Sequence, residues 1–426
     1  MSDKIRIGLA GLGTVGATVA ARLLQGAVSG AKLAAVSARD ANKDRGVDLG
    51  GIDFLGDPLA LVTHADVDVV VELIGGENGT ALNLVEAALK AGKPVVTANK
   101  AMLAAHAAAL SDLSVGGDVP LAFEAAVAGG IPVIKTVREG LAGNDITRLC
   151  GILNGTCNYI LSRMEAAGLS FADALKEAQE LGFAEADPTL DVSGADAGQK
   201  LAILSALAYG VAPNMENISI TGIEAITAAD IAFADQFDSV IRLVGTAARS
   251  GAASDGGVYH SVEPVLVKKS QALAQVLNEL NAVSIAAAPL GSMMLQGPGA
   301  GGGATASAVL ADIADIAAGF GRPLFDKAVS DMTESASQGA PASEFYIRLA
   351  LADQPGSMAK ATQILAENGV SIEEVVQRSS ESDDSYLPVV FITHQTEKPS
   401  LDAALAALEQ QSEICNAVLA LPVFAD

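Results

Sequence analysis

Gly8-Leu9-Ala10-Gly11-Leu12-Gly13-Thr14-Val15-Gly16 is the stretch on which the reading of this chain turns. It follows an apolar run, Ile5 to Ala10, and leads into a helix-like segment, so its G-x-G-x-x-G spacing falls where a strand hands over to a helix. There Gly11 allows a tight turn, Gly13 lets the backbone approach a pyrophosphate, and Gly16 brings the helix against the strand. The free N–H groups of the helix start would hold the anion, so Gly11, Leu12, Gly13, Thr14, Val15 and Gly16 are candidate dinucleotide contacts. A glycine turn in some other α/β fold is the competing explanation.

Outward from this loop, short apolar runs alternate with helix-like stretches: Leu33 to Ser37, Val67 to Leu73, Pro94 to Thr97 and Leu121 to Ala126, with Ala81 to Lys90 as one covering helix. The alternation predicts βαβ units and a doubly wound parallel sheet. Beyond Ile131 longer helical stretches take over (Val133 to Leu141, Tyr159 to Ala167, Phe171 to Leu181, Asp196 to Tyr209), with strands at Thr147 to Leu153, Ser239 to Ala247 and Val258 to Val267. This is an α+β domain. Ser330 to Glu344 is polar and Ser-rich and reads as a linker. The remainder predicts a βαββαβ unit: strand Phe345 to Leu351, helix Ser357 to Glu367, strands Val370 to Gln377 and Pro388 to Thr393, helix Ser400 to Gln410, strand Ala417 to Pro422.

Composition narrows the partners. The 426 residues exceed one ordinary core, and a net charge of -24 repels phosphate backbones and anionic lipid, so neither nucleic acid nor membrane is expected. Cys150, Cys157 and Cys415 show no metal-type spacing or disulfide framework, and the N-terminus has no export signal; a cytoplasmic protein is expected.

Several positions carry chemistry. Arg39, just past the second strand, suits the 2′-phosphate of NADP, although NAD stays open and Arg39 could instead pair with Asp40. Thr97-Ala98-Asn99-Lys100 ends a strand at its carboxyl edge, where Lys100 could polarise a carbonyl or simply be a solvated helix-start lysine. Glu124, followed by the turn Val127-Ala128-Gly129-Gly130-Ile131, offers one carboxylate and exposed carbonyls to a hard cation, or is a plain hinge. Glu185, Asp187, Asp191 and Asp196 crowd one loop and helix start, with Lys200 four residues after Asp196 on the same face. An ion pair explains the last spacing; an ammonium-bearing substrate would explain the like charges before it. The run Gly297-Pro298-Gly299-Ala300-Gly301-Gly302-Gly303 precedes an Ala-rich helix, closing over a cofactor or serving as a connector.

Together GLGTVG, TANKA, EAAVAGGIP, GILNGTCNYIL, EADPTLDVSGADAGQKL and GPGAGGGATASAV resemble homoserine dehydrogenase from residue 4 to about 320, in matching order. The C-terminal unit resembles an ACT domain, an amino-acid-sensing module that pairs across subunits. The resemblance implies a Rossmann-like domain over 1–130 completed by 301–325, a substrate and dimerisation domain over 131–300, a linker over 326–343 and a ferredoxin-like ACT domain over 344–426. It implies interconversion of L-homoserine and L-aspartate 4-semialdehyde in threonine and methionine biosynthesis, with threonine as an effector and a homodimer or homotetramer as the assembly. Lys200 would donate the proton and Lys100 assist beside the cofactor. Glu185, Asp191 and Asp196 would hold substrate. Thr97, Gly182 and Gly301 would lie near the cofactor. Glu124, with the carbonyls of Val127, Gly129 and Ile131, would bind sodium. One departure is Gly303-Ala304, where the family usually has a proline before TASAV. Rival readings are a dehydrogenase for another amino acid and a silent NADP sensor that keeps the glycine loop without needing Lys200.

Overall fold

The structure, a computed structural model, describes residues 4–249, 257–333, 339–377 and 386–425, apart from the side chains of 415–417. The N-terminal part runs β1 (Ile5–Ala10), α1 (Thr14–Leu24), β2 (Ala31–Ser37), β3 (Asp53–Leu55), α2 (Ala60–Thr63), β4 (Val69–Glu72), α3 (Thr80–Lys90), β5 (Val95–Thr97), α4 (Lys100–Gly116) and β6 (Leu121–Ala122). Its six strands are all parallel, in the order β3-β2-β1-β4-β5-β6. Alternation of side chains explains the two covering layers. Val70 packs with Leu84, Val85, Met102 and Leu110 of α3 and α4, whereas Val69 and Val71 pack with Val19 and Leu23 of α1 on the other face. Strand order reverses between β1 and β4, which opens a crevice beside the glycine loop.

The second part comprises α5 (Val133–Lys135), β7 (Asp145–Ile152), α6 (Gly155–Ala167), α7 (Phe171–Glu180), α8 (Thr189–Val192), α9 (Ala195–Tyr209), β8 (Ser219–Ile220), α10 (Ala228–Gln236), β9 (Ser239–Arg249), β10 (Val258–Lys268), β11 (Leu280–Ala288) and β12 (Gly291–Pro298). They build a mixed sheet, β12-β11-β7-β9-β10-β8, backed by α6, α9 and α10. α11 (Gly302–Ala317) then returns to pack on α1, burying Val309 and Ile313 with Ile7 and Val19.

Two expectations change here. The strand over Leu121 to Ala126 stops at Ala122, because Glu124 turns its carboxylate onto the N–H groups of Ile134 and Lys135 at 2.8 and 2.9 Å. The helix over Val133 to Leu141 is one turn of α5 and a π-turn, Thr136–Gly140, anchored by Arg138 to the carbonyl of Leu324 at 2.6 Å.

The C-terminal unit is β13 (Phe345–Ala352), α12 (Ser357–Glu367), β14 (Ile372–Gln377), β15 (Tyr386–Thr393), α13 (Lys398–Glu409) and β16 (Ile414–Pro422), an antiparallel sheet ordered β14-β15-β13-β16. One face buries Ile347, Leu349 and Phe391 beneath Leu365 of α12 and Leu401 of α13. The other meets the second part: Tyr346 donates to Asp230 of α10 at 2.7 Å, and Phe424 donates its N–H to the carbonyl of Leu266 at 2.7 Å. The described ends of the linker are tied down by backbone, Val211 bridging Thr333 and Ser343 bridging Thr396; residues 334–338 lie outside the described residues. Among the described residues no helix is long and apolar enough to cross a membrane.

Candidate active site

The glycine loop has the geometry its spacing predicts. Gly11 takes φ +95°, and a Cβ there would meet the carbonyl of Leu73 at 2.4 Å. A Cβ on Gly16 would stand 1.9 Å from the carbonyl of Gly11, whereas Gly13 faces open space with nothing within 4 Å. Helix α1 begins with no side-chain cap, so its N–H groups point into that space, where a pyrophosphate fits. The start of α11 joins it: Gly302 approaches the methyl of Thr14 closely enough that a Cβ would sit 2.7 Å away, and Gly301 opens onto free space at φ +104°. Leu12 is buried beneath the loop and Val15 half-buried.

Around this crevice, Arg39 is exposed past β2 and makes no ion pair among the described residues; the carboxylate of Asp40 accepts from the N–H of Asn42 at 2.8 Å instead. Thr97 is buried, and its hydroxyl donates to Glu72 at 2.6 Å. The other oxygen of Glu72 accepts from the N–H groups of Ile74 and Gly75 at 2.7 and 2.9 Å, shaping the loop after β4. Glu72 is a residue the sequence reading missed: it sits in an apolar run that looks like nothing but strand.

Opposite the crevice lies a cluster built from both parts of the chain. Asn99 caps α4 by accepting from the N–H of Met102, which sets Lys100 as the first helical residue at the end of β5. Its ammonium lies 3.1 Å from one carboxylate oxygen of Asp196. Asp196 stands in the first turn of α9, and Lys200, one turn on and 8% exposed, donates to the second oxygen at 2.8 Å. Lys200 also donates to the carbonyl of Leu153 at 2.6 Å. That carbonyl is shared with the buried Asn281, which donates to it at 3.0 Å. Burial opposes the charge of Asp196, but Lys200 and Lys100 outweigh it and hold the carboxyl well below the usual range. Asp191 is held nearby by Asn154 at 2.7 Å, and burial pushes its carboxyl up, with the charge of Asp196 adding to the effect.

The four-carboxylate loop therefore resolves into two halves. Asp191 and Asp196 join the lysines. Asp187 turns back onto the hydroxyl of Thr189 at 2.6 Å, and Glu185 is exposed, with no hydrogen bond or ion pair to the cluster among the described residues. Gly182 ends α7 at φ +78°, exposed beside Phe183, whose ring packs against Tyr159 at 4.8 Å. Sequence reasoning also missed Asn154, Leu153 and Asn281; only Asn154 carried a signal, as a helix-capping residue before Gly155-Thr156.

At the hinge between the two parts, burial pushes the Glu124 carboxyl up to about 7, despite the two N–H groups it accepts. Ala128 and Gly129 both take φ +55°. The Ile131 carbonyl accepts from Val133 at 2.7 Å, while those of Val127 and Gly129 accept nothing among the described residues. No cluster of three or more His, Cys, Asp or Glu there is arranged to hold a metal, so a cation would depend on these main-chain oxygens.

A dinucleotide loop facing ammonium groups that can stabilise an alkoxide is the equipment of a nicotinamide-dependent oxidoreductase acting on a CH–OH group. Comparison with known proteins agrees. The homoserine dehydrogenase catalytic profile matches residues 132–314, the homoserine dehydrogenase NAD-binding profile 11–124 and the ACT domain profile 345–413. The chain is 40% identical to a homoserine dehydrogenase of Neisseria gonorrhoeae, over 95% of each protein. Its fold matches the crystal structure of a homoserine dehydrogenase from Thiobacillus denitrificans with a TM-score of 0.91 and 36% identity, covering 99% of this chain and 98% of that one. A hyperthermophilic archaeal homoserine dehydrogenase in complex with NADPH matches at TM-score 0.63 and 27% identity, over 75% of this chain and 99% of that one. The chain belongs to the homoserine dehydrogenase family.

Proposed function

We propose that the protein interconverts L-homoserine and L-aspartate 4-semialdehyde with Lys200 as proton donor to the aldehyde oxygen. The observation that carries this is the count of donors on Lys200. An ammonium has three hydrogens, and Asp196 and the Leu153 carbonyl take two, leaving one for a substrate oxygen. A bound nicotinamide supplies or accepts the hydride. As negative charge grows on the oxygen, the free N–H of Lys200 stabilises it and then transfers its proton, while Asp196 keeps the ammonium oriented. Lys100, reaching the same carboxylate from the nucleotide side, assists. Asp191 and Asp196, joined by Glu185 from the exposed loop, hold the substrate ammonium group.

NADP is the preferred coenzyme in this reading: Arg39 is free to meet a 2′-phosphate, and the archaeal relative was solved with NADPH. Thr97, Lys100, Gly182 and Gly301 complete the cofactor contacts, Thr97 through its main chain because its hydroxyl is engaged. A sodium ion on Glu124 and the carbonyls of Val127, Gly129 and Ile131 would steady the hinge rather than polarise the substrate. Threonine is the effector we assign to the ACT domain. Helix α12 is preceded by Gly356, φ +99°, without a side-chain cap, and the buried Ser357 hydroxyl beside it has no hydrogen-bond partner among the described residues, so an amino-acid carboxylate suits that helix start. The enzyme would serve threonine and methionine biosynthesis in the cytoplasm as a homodimer or homotetramer.

The test is a spectrophotometric assay of NADP reduction with homoserine, repeated with NAD and with added threonine. NADP reduction faster than NAD reduction, and slowed by threonine, is the expected result; no turnover with homoserine on either coenzyme rejects the reading. Threonine binding by calorimetry to the wild type and to Gly356→Asp separates an effector site from a pairing module.

A further inference from the structure

Resting on the assignment of Lys200, we propose that Asn154 is a positioning residue: its carboxamide nitrogen bridges Asp191 and Asp196 and so fixes the carboxylate that aims Lys200. Asn154 sits where β7 hands over to α6 and is 3% exposed. Its Oδ1 accepts from the N–H of Cys157 at 2.8 Å, which caps α6. That cap decides which way the amide faces, because a flipped amide would set its oxygen against two carboxylates and its NH2 against an N–H. The nitrogen then has two hydrogens and two acceptors, Asp191 Oδ1 at 2.7 Å and Asp196 Oδ2 at 2.9 Å.

The second of those oxygens is the one that receives Lys200 at 2.8 Å, and the residue before Asn154 supplies the carbonyl on the ammonium's other side. Residues 153 and 154 thus hold the lysine through two independent routes from one strand end. The charged and titratable groups around the amide are Asp191 from α8, Asp196 and Lys200 from α9, Lys100 from α4, Cys157 from α6 and Glu224 after β8. Burial keeps the Cys157 thiol neutral, so the balance lies between carboxylates and two ammoniums. Without the amide two like charges, one buried and one half-buried, would face each other with no neutral donor between them.

Two substitutions separate the cap from the bridge. Asn154→Ser keeps an oxygen that can cap α6 but has no NH2; Asn154→Asp keeps the shape and the cap but replaces the bridging donor by a carboxylate. In the full-length protein we expect Asn154→Ser to fold, to lose roughly 10- to 100-fold in kcat with a smaller change in KM, and to move the acidic limb of kcat/KM up by about one pH unit. The limb rises because carboxylates deprived of a donor protonate at higher pH. Asn154→Asp should move it further. A folded Asn154→Ser with wild-type kcat and an unmoved limb overturns the proposal, as does a fall in thermal midpoint with no change in the pH profile, which would leave Asn154 a helix cap alone. Lys200→Ala, assayed alongside, tells the two readings apart: wild-type turnover there removes the lysine assignment itself, whereas a dead Lys200→Ala with unaltered Asn154 variants removes only the bridge.

Discussion

Two aspartates in the first turns of helices each hold a neighbouring part of the chain, Asp196 of α9 reaching the nucleotide side and Asp230 of α10 reaching the ACT domain. Asp230 is wholly buried. Thr227 donates to one of its oxygens from both N–H and hydroxyl, at 2.8 and 2.6 Å, while Tyr346 donates to the other at 2.7 Å and Arg348 lies 2.9 Å away. The hydroxyls have one hydrogen each, and both are spent. Around Asp196 the arithmetic is reversed, since two ammoniums and one amide share a single carboxylate and the ammoniums keep hydrogens in reserve. A first-turn aspartate is thus a clasp where hydroxyls spend their single hydrogens on it, and a reactive centre where ammoniums keep hydrogens to spare.

The harshest way to break this contrast is to remove the surplus donor. Lys200→Ala should lower kcat by about 10³-fold, near 4 kcal/mol of barrier, with the fold retained because Asp196 keeps Lys100 and Asn154; steady-state assays and circular dichroism check it. Asp230→Ala should do the converse. Losing the carboxylate half of the capping box and stranding Arg348 costs about 3 kcal/mol of stability, seen as a drop of several degrees in thermal midpoint, while kcat in the native range changes less than twofold.

A pH series sharpens the comparison by isolating a third buried group, an imidazole. His260 of β10 is buried, 2.5 Å from Ser205 of α9 through Nε2, and its Nδ1 has no hydrogen-bond partner among the described residues. Burial lowers its pKa from 6.5 to about 4, so the folded protein refuses a proton that the unfolded chain accepts. Stability from this source is complete above pH 6.5 and is lost as pH falls toward 4, by about 3 kcal/mol in all. Thermal midpoints at pH 7 and 4.5 should converge in His260→Gln. The smallest effect belongs to Lys100→Met, about tenfold in kcat, since Lys200 keeps its own contacts with Asp196 and Leu153; a loss equal to that of Lys200→Ala would show the lysines to be equivalent.

Much of this was visible in residue spacing, and the misses share a cause. The glycine loop, the alternating strands of the first part and the βαββαβ unit are local patterns, each set by neighbours within a few residues. Asp196 and Lys200 were legible for the same reason, being one helical turn apart. The hairpin of β11 and β12 was not, because Asn281-Ala282-Val283-Ser284-Ile285-Ala286-Ala287-Ala288 is alanine-rich and acquires its strand form by pairing with β7. Leu153 and Asn281 were invisible as site residues because one acts through a main-chain carbonyl and the other arrives from 128 positions away. The acidic loop misled in the other direction: Asp187 turns onto Thr189, a short-range turn that no charge count reveals.

The return of α11 onto α1 has a bearing on how the polypeptide is made. The nucleotide-binding sheet is finished at β6, yet the apolar face of β1 and α1 has no cover until Ala306, Val309 and Ile313 emerge. A ribosome must translate residues 123–301 in the meantime, on the order of 10–40 s at typical elongation rates, with that face unshielded. The nucleotide-binding part, made well before α11, is therefore closed late, and the nascent chain should depend on chaperones most during that interval.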